Sequence, residues 1–77
     1  MQDKEILEVI ADNIRIERLR KRISQEKLAE QIGISTKYLN MIENKKANPT
    51  IIIVVKICIA LNINLDIIYN TSEKYIH

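Results

Sequence analysis

The sequence predicts an all-α protein, and its composition carries that prediction. Only one Gly and one Pro occur among the 77 residues, so residues that favour turns are scarce, while Leu, Ile, Lys and Glu dominate. A chain of this length is expected to form a single domain, residues 1–77, with its core at about residues 10–69. The polar tail at residues 70–77 is expected to fray.

The first predicted helix begins with Asp3 as its N-cap and ends near Arg20. Ile6, Ile10 and Ile14 recur at intervals of four residues and form an apolar stripe. Acidic residues near the start of this segment and basic residues near its end both suit the helix dipole. Together these features predict a helix with one buried face.

Two short helices joined by a tight turn are predicted next. Ser24 is the N-cap of a helix at residues 25–32, and Gly33 stands where a helix commonly ends in a left-handed residue. Ser35 is the N-cap of the next helix, residues 36–43. Opposite the apolar side of that helix, which holds Leu39 and Ile42, lie Thr36, Lys37, Asn40 and Met41. A polar face of this kind on a short helix is what the DNA major groove accepts.

The fourth segment gives conflicting local signals. Residues 51–55 are a β-branched run that, by itself, would indicate a buried strand. A helix is favoured because Pro49-Thr50 is a good helix start, because the apolar segment is long for a strand, and because no partner strand is predicted. Asn62 suits a left-handed helix end, and Asn64 is expected to cap a short fifth helix at about residues 65–69.

The fourth helix is apolar on more sides than one small domain needs. Eleven of the thirteen residues from 51 to 63 are apolar. The expected inward face comprises Ile51, Val54, Val55, Cys58 and Leu61. Four residues outside that face are expected at the interface of a symmetric homodimer: Ile52, Ile53, Ile59 and Ile63. The alternative is a fuller intramolecular core, packed under the first helix.

Positive charge is concentrated in the middle of the chain. Residues 1–14 carry a formal charge of −3, residues 15–46 carry +5 and residues 47–77 carry zero, in agreement with the net charge of +2. This distribution favours a polyanionic partner. An ordinary solvated face would have the same charge, so charge alone favours DNA only weakly.

The sequence offers no support for several other functions. Cys58 is the one cysteine and His77 the one histidine, so no disulfide, metal site or cofactor is expected. No carboxylate pair, Ser/His or Cys/His set, or Gly-rich phosphate loop can be assembled, so we do not expect an enzyme. Neither a signal peptide, a membrane span nor an inducer-binding segment is predicted, which favours a cytoplasmic protein with no membrane contact and no small-molecule ligand.

A series of short motifs lies within a segment of about residues 10–68. It begins with Ser24-Gln25, Leu28-Ala29, Gly33, Ser35, Leu39 and Ile42-Glu43-Asn44, and continues through Pro49-Thr50, Ile57, Ala60-Leu61, Ile63 and Leu65-Asp66. This series resembles the helix-turn-helix regulators of the phage-repressor, Cro and XRE type, and the chain is similar in size to controller proteins. The resemblance implies a compact five-helix, lambda-repressor-like domain. It also implies a sequence-specific transcriptional regulator that binds double-stranded DNA as a homodimer on a palindromic operator.

An alternative function stays open at this point. The chain would be an antitoxin, or another protein-interaction module, that binds a partner protein through its apolar fourth helix and only autoregulates through DNA.

The resemblance implies base contacts for the third helix. Lys37 is the best candidate for reading guanine, Asn40 can pair with adenine, and Thr36 can contact a base edge or a thymine methyl group. Met41 would either make apolar contacts with bases or fill part of the core. Tyr38 would either face DNA or pack within the protein.

Other residues are implied at phosphates. Ser35 can contact a phosphate while it caps its helix, and Gln25 resembles a family glutamine that binds a phosphate. Three residues would flank the groove and hold the opposite phosphates: Asn44, Lys45 and Lys46.

The same resemblance implies one structural contact and two departures. Arg18 and Glu43 fall where repressor-like domains keep a partly buried ion pair. Arg22 and Lys45 stand where the family commonly has Gly, so the backbone at these two turns, and with it the phosphate contacts of the second, is expected to differ from the family.

Overall fold

A computed structural model describes residues 2–70, and its regular structure is entirely helical. The helices are α1 (Asp3–Arg20), α2 (Gln25–Ile32), α3 (Thr36–Glu43), α4 (Ile51–Leu61) and α5 (Leu65–Ile68). The all-α prediction is confirmed, and the β-branched run at residues 51–55 is helical. The tail that was predicted to fray is residues 70–77, and residues 71–77 of it lie outside the described residues.

In three of the helices, a side-chain oxygen of the N-cap residue caps the first turn. Ser24 Oγ accepts a hydrogen bond from the backbone N–H of Lys27 at 3.0 Å, and Ser35 Oγ accepts one from that of Tyr38 at 3.0 Å. Thr50 Oγ1 accepts in the same way from Ile53, at 3.2 Å. Each bond satisfies an N–H of the first turn that has no partner within its own helix. These three predicted N-caps are therefore confirmed.

One predicted helix boundary is wrong by one residue. Gln2, not Asp3, is the N-cap of α1, and the backbone N–H of Gln2 donates to Glu5 Oε1 at 3.1 Å. A carboxylate three residues into the helix can satisfy this donor, so Asp3 is left as the first helical residue. The last helix ends at Ile68, and Asn64 precedes it without a side-chain capping bond.

The core lies between α1 and the layer formed by the other helices. Its largest fully buried side chains are Val9, Ile14, Leu28, Leu39, Ile42, Val54, Ile57, Leu61 and Ile68. Helix α1 contacts α3, α4 and α5, while α2 packs against both α3 and α4. The side chain of Asn13 ties α1 to the end of α5, because its Nδ2 donates to the carbonyl of Ile68 at 2.8 Å.

The inward face of α4 differs from the predicted one. Val54, Ile57, Cys58 and Leu61 are buried, whereas Ile51 and Val55 are exposed. An almost wholly apolar helix has several apolar stripes at helical spacing, so its sequence does not select the stripe that faces α2. Burial also raises the pKa of the Cys58 thiol above its usual range by desolvating the thiolate.

A buried ion pair joins α1 to α3. Arg18 Nε donates to Glu43 Oε2 at 2.7 Å, and Arg18 Nη2 donates to Glu43 Oε1 at 3.0 Å. The remaining terminal nitrogen, Nη1, donates to the carbonyl of Ile23 at 2.8 Å. Only 1% of the Glu43 side chain is exposed. The pair therefore fixes α3, and also the turn before α2, to the end of α1.

The two positions where glycine is common keep a backbone that favours glycine. Arg22 has a φ of 57° and Lys45 a φ of 66°, both in the left-handed region. The amides that follow close the ends of α1 and α3, because Ile23 N donates to the carbonyl of Arg18 and Lys46 N donates to that of Met41. The expected change of backbone at these turns is therefore not found, and each side chain bears the cost of a left-handed conformation.

We predict that Glu43→Ala lowers the free energy of unfolding by about 3–5 kcal/mol, because it leaves the Arg18 guanidinium buried without its counter-charge. The total for a chain of this size is roughly 4–12 kcal/mol, so this loss is a large fraction of the stability of the fold. Urea denaturation followed by circular dichroism measures the change.

The control for that measurement is the double variant Arg18→Met/Glu43→Leu. It removes both charges and fills the space, so much of the lost stability should return. A loss below about 1 kcal/mol in the single variant, as for exposed ion pairs, would contradict the structural role of the pair.

We predict that Arg22→Gly raises the free energy of unfolding by about 1 kcal/mol. Glycine removes the cost of the left-handed conformation, which exceeds the extra backbone entropy that glycine loses on folding. Arg22→Ala is the matched control, because it removes the same side chain and keeps the strained backbone. A glycine variant less stable than the alanine variant by about 0.5–1 kcal/mol, which is the entropic cost of glycine alone, would show that the backbone at residue 22 is not strained.

Candidate nucleic-acid interface

The outward face of α3 is the part of the structure best suited to enter a groove. We use this name for Thr36, Lys37, Asn40 and Met41, of which the first three are exposed and Met41 is half-buried. On the opposite side of the helix, Leu39 and Ile42 have no exposed surface. The helix is therefore held by its apolar side against α1 and α2, and its polar side is open.

Two other residues of this segment are committed to the protein itself. Ser35 is exposed and caps α3, as described above. Tyr38 is half-buried and packs against the hydrophobic core. Of the two roles considered for Tyr38, this packing is the one that is present in the structure.

The loop after α3 holds three residues that were predicted to contact phosphates. Asn44 Nδ2 donates to the carbonyl of Asn40 at 2.8 Å, so its side chain helps to end the helix. Lys45 Nζ lies 3.1 Å from Asp12 Oδ1 of α1. Within residues 2–70, Lys46 is exposed and forms no ion pair, so among these three its ammonium group is the one open to an external anion.

Gln25 lies at the start of α2 with its side chain directed towards α3. Its Nε2 donates to Glu43 Oε1 at 3.0 Å, and its Oε1 accepts from Asn40 Nδ2 at 3.3 Å. The side chain predicted to bind a phosphate is therefore engaged within the protein. No signal in the sequence would have revealed the contact with Asn40, because the two residues are 15 positions apart and their types fit many partners.

Several basic side chains remain available around this face. Of the nine Lys and Arg residues between positions 15 and 46, Arg18 is buried, and three others pair with Glu17, Glu30 and Asp12. Within residues 2–70, five of the nine are exposed without an ion pair: Arg15, Lys21, Arg22, Lys37 and Lys46. The local excess of positive charge is thus carried by unpaired groups, which suits a polyanion.

The four residues predicted at a dimer interface divide into two pairs. Ile52 and Ile59 are 65% and 75% exposed, whereas Ile53 and Ile63 are half-buried and pack against the core. Together with Ile51 and Val55, the exposed pair forms a continuous surface along α4. The alternative of a fuller intramolecular core does not account for Ile52 and Ile59, which no described element covers.

Residues 2–70 contain neither a candidate metal site nor a candidate membrane span. No group of three or more His, Cys, Asp or Glu side chains there could hold a metal ion. Among the helices of the same residues, none combines the length and the apolar character needed to span a membrane.

Comparison with known proteins identifies the family. The helix-turn-helix family HTH_3 matches residues 14–68. The control protein C.SmaI of Serratia marcescens is 36% identical over 58 residues, which make up 75% of this chain and 69% of that protein. The chain therefore belongs to this family of DNA-binding transcription regulators, and it is not an enzyme.

Two solved structures have the same fold. A hypothetical transcription factor from Neisseria, NHTF, superposes with a TM-score of 0.80 at 30% identity, covering 91% of this chain and 82% of that one. The restriction-modification controller protein C.AhdI from Aeromonas hydrophila gives a TM-score of 0.78 at 27% identity, covering 82% and 96%. None of these three relatives is named as an antitoxin, so the comparisons do not favour that alternative.

Proposed function

We propose that this helix-turn-helix protein binds a specific sequence of double-stranded DNA as a homodimer, on a palindromic operator, and thereby regulates transcription. The observation that carries the proposal is the outward face of α3. It presents Thr36, Lys37 and Asn40 to solvent from a short helix whose other side is buried. A helix held in this way can enter a major groove without rearrangement.

The exposed side chains of α3 suit direct contact with base edges. Lys37 is exposed and unpaired within residues 2–70, so its ammonium group can donate to guanine O6 and N7. Thr36 and Asn40 lie on the same side of the helix, where they can reach neighbouring base pairs. Met41 would contribute apolar contacts at the edge of this face.

Phosphate contacts are proposed for side chains around that face. Lys46 has no ion-pair partner among residues 2–70, and Arg22 lies at the turn between α1 and α2. Ser35, Asn44, Lys45 and Gln25 remain proposed contacts, but each already has a partner within the protein. Lys45 would have to leave Asp12 or be shared with it, and Gln25 could reach a phosphate with the second N–H of its Nε2 while keeping its bonds to α3.

The dimer is proposed to form through the apolar stripe of α4, which comprises Ile51, Ile52, Val55 and Ile59. Ile59 stands between two shallow grooves. One is lined by Gly33, Lys56 and Ala60, among others, and the second by residues of α4 and α5: Val55, Cys58, Ile63 and Leu65. A twofold axis would let each Ile59 enter the second groove of the other copy, since an isologous interface repeats every contact.

A dimer also suits the recognition of DNA. Two α3 helices related by a twofold axis would read two half-sites about 34 Å apart on one side of the duplex. A transcriptional regulator acts where its operator DNA is, so we place the protein in the cytoplasm.

Selection of bound duplexes from random DNA tests the proposal. We predict a palindromic consensus for the wild-type protein and, for Lys37→Ala, a consensus that relaxes at one position in each half-site. A dimer that neutralises about 6–8 phosphates should also give a slope of log K against log salt of about −5 to −7.

The matched control in that experiment is Lys46→Ala, which removes the same charge from a residue proposed to contact phosphate. It should weaken binding to all sequences equally and, because a dimer loses one phosphate contact from each copy, make the salt slope shallower by about two units. Binding by the wild-type protein without any preferred sequence would overturn the proposal.

We predict that Ile59→Asn converts a dimer into a monomer. Sedimentation equilibrium at micromolar concentration should give twice the 9.0 kDa of the chain for the wild type and 9.0 kDa for the variant. The fold should be retained, because 75% of Ile59 is exposed in the isolated chain.

Ile16→Asn is the control for the dimer experiment. Ile16 is an apolar residue of α1 with 39% of its surface exposed, outside the stripe of α4, so this variant should remain dimeric. A wild-type protein that sediments only as a 9.0 kDa species would contradict the proposed dimer.

A further inference from the structure

A chain of hydrogen bonds runs from the buried ion pair to the outward face of α3. Arg18 donates to both oxygens of Glu43, and Glu43 Oε1 also accepts from Gln25 Nε2 at 3.0 Å. Gln25 Oε1 in turn accepts from Asn40 Nδ2 at 3.3 Å. The chain begins in the core and ends at an exposed side chain that is proposed to read bases.

The donors and acceptors along this series of hydrogen bonds can be assigned in only one way. The carboxylate of Glu43 offers only acceptors, so Gln25 must turn its NH₂ group towards it. The carbonyl oxygen of the Gln25 amide then points to Asn40. Because this oxygen can only accept, Asn40 must turn its own NH₂ group towards Gln25. The usual ambiguity in the orientation of a side-chain amide is therefore removed at both residues.

We propose that Gln25 is a positioning residue that fixes the amide of Asn40 and thereby sets its base preference. This inference rests on the proposed function, because it concerns how the same face reads DNA. Held in this orientation, Asn40 has Oδ1 and one remaining N–H for an external partner. Its Oδ1 therefore remains an acceptor at a fixed position, because the amide cannot rotate to place an N–H there.

The fixed acceptor selects bases that carry a donor in the major groove. Adenine matches both free groups of Asn40, since its N6 amino group donates and its N7 accepts. Cytosine offers its N4 amino group to Oδ1 alone. Guanine and thymine offer acceptors to the remaining N–H but no donor to Oδ1, so each satisfies only one of the two free groups and leaves Oδ1 without a partner. An asparagine free to rotate its amide could instead place an N–H where Oδ1 lies and donate from there to guanine or thymine.

This role differs from direct binding of a phosphate by Gln25. A phosphate contact would affect all sequences equally, whereas a positioning role acts on one base pair in each half-site. The two roles are therefore separated by the base preference at a single position, not by overall affinity.

Two substitutions of Gln25 test the inference, with the affected position first identified as the one whose preference is lost in Asn40→Ala. At that position we expect the wild type to favour adenine over guanine and thymine by about tenfold or more. Gln25→Met has similar length and no polar group, so it should reduce this preference to about twofold or less by freeing the Asn40 amide.

Gln25→Lys provides the opposite test. Lysine can donate to Glu43 and to Asn40 but cannot accept, so Asn40 should turn Oδ1 towards it and present its N–H groups to the DNA. The preference at the same position should then shift towards guanine or thymine. In an Asn40→Ala background, neither substitution of Gln25 should alter the preference at that position. Thermal unfolding of each variant confirms that it is folded before its binding is compared.

The possible outcomes separate this inference from the proposed function. A wild-type protein with no preferred sequence would overturn both. A palindromic consensus that is unchanged in Gln25→Met and Gln25→Lys would overturn only the role of Gln25. A fall in overall affinity with an unchanged base preference would also overturn only the role of Gln25, because a phosphate contact behaves in that way.

Discussion

The buried ion pair of Arg18 and Glu43 is the interaction that places the outward face of α3. Removing two charges from water is costly, and the cost is recovered only when their remaining polar atoms also find partners. Here the guanidinium bonds to Glu43 and to the carbonyl of Ile23, and Gln25 donates to the carboxylate. Among residues 2–70, no buried side-chain nitrogen or oxygen lacks a partner. This cluster of hydrogen bonds thus joins α1, α3, the start of α2 and the turn between α1 and α2.

This connection matters because α3 is short. Isolated helices of fewer than about 12–15 residues are marginal in water, and α3 has eight. Its N-cap at Ser35, its buried Leu39 and Ile42, and the ion pair at its last residue hold both of its ends. The helix is therefore held by its ends and its apolar side, and Thr36, Lys37 and Asn40 on its polar side remain exposed.

The fourth helix divides its apolar residues between two purposes. Val54, Ile57 and Leu61 complete the core of the chain, while Ile52 and Ile59 remain outside it. A β-branched sequence has little intrinsic preference for a helix, so packing of the first group keeps the segment helical. The second group adds nothing to the stability of an isolated chain. In the proposed dimer, burial of this group between two copies would connect dimer formation to DNA binding, because only joined copies would hold two α3 helices at a fixed separation.

The amino-acid sequence by itself determined the helices and most of their ends. Ser24, Ser35 and Thr50 cap their helices through bonds to residues three positions on, and Gly33 and Asn62 adopt the left-handed conformation at helix ends. Such features depend on neighbours in the chain, so local chemistry suffices to predict them. Tertiary structure alone decided that α4 buries Ile57 but not Ile51, that Lys45 pairs with Asp12, and that Gln25 bonds to Asn40. The physical reason is that these contacts join residues far apart in the chain, and their side chains could satisfy several other partners until packing excludes all but one.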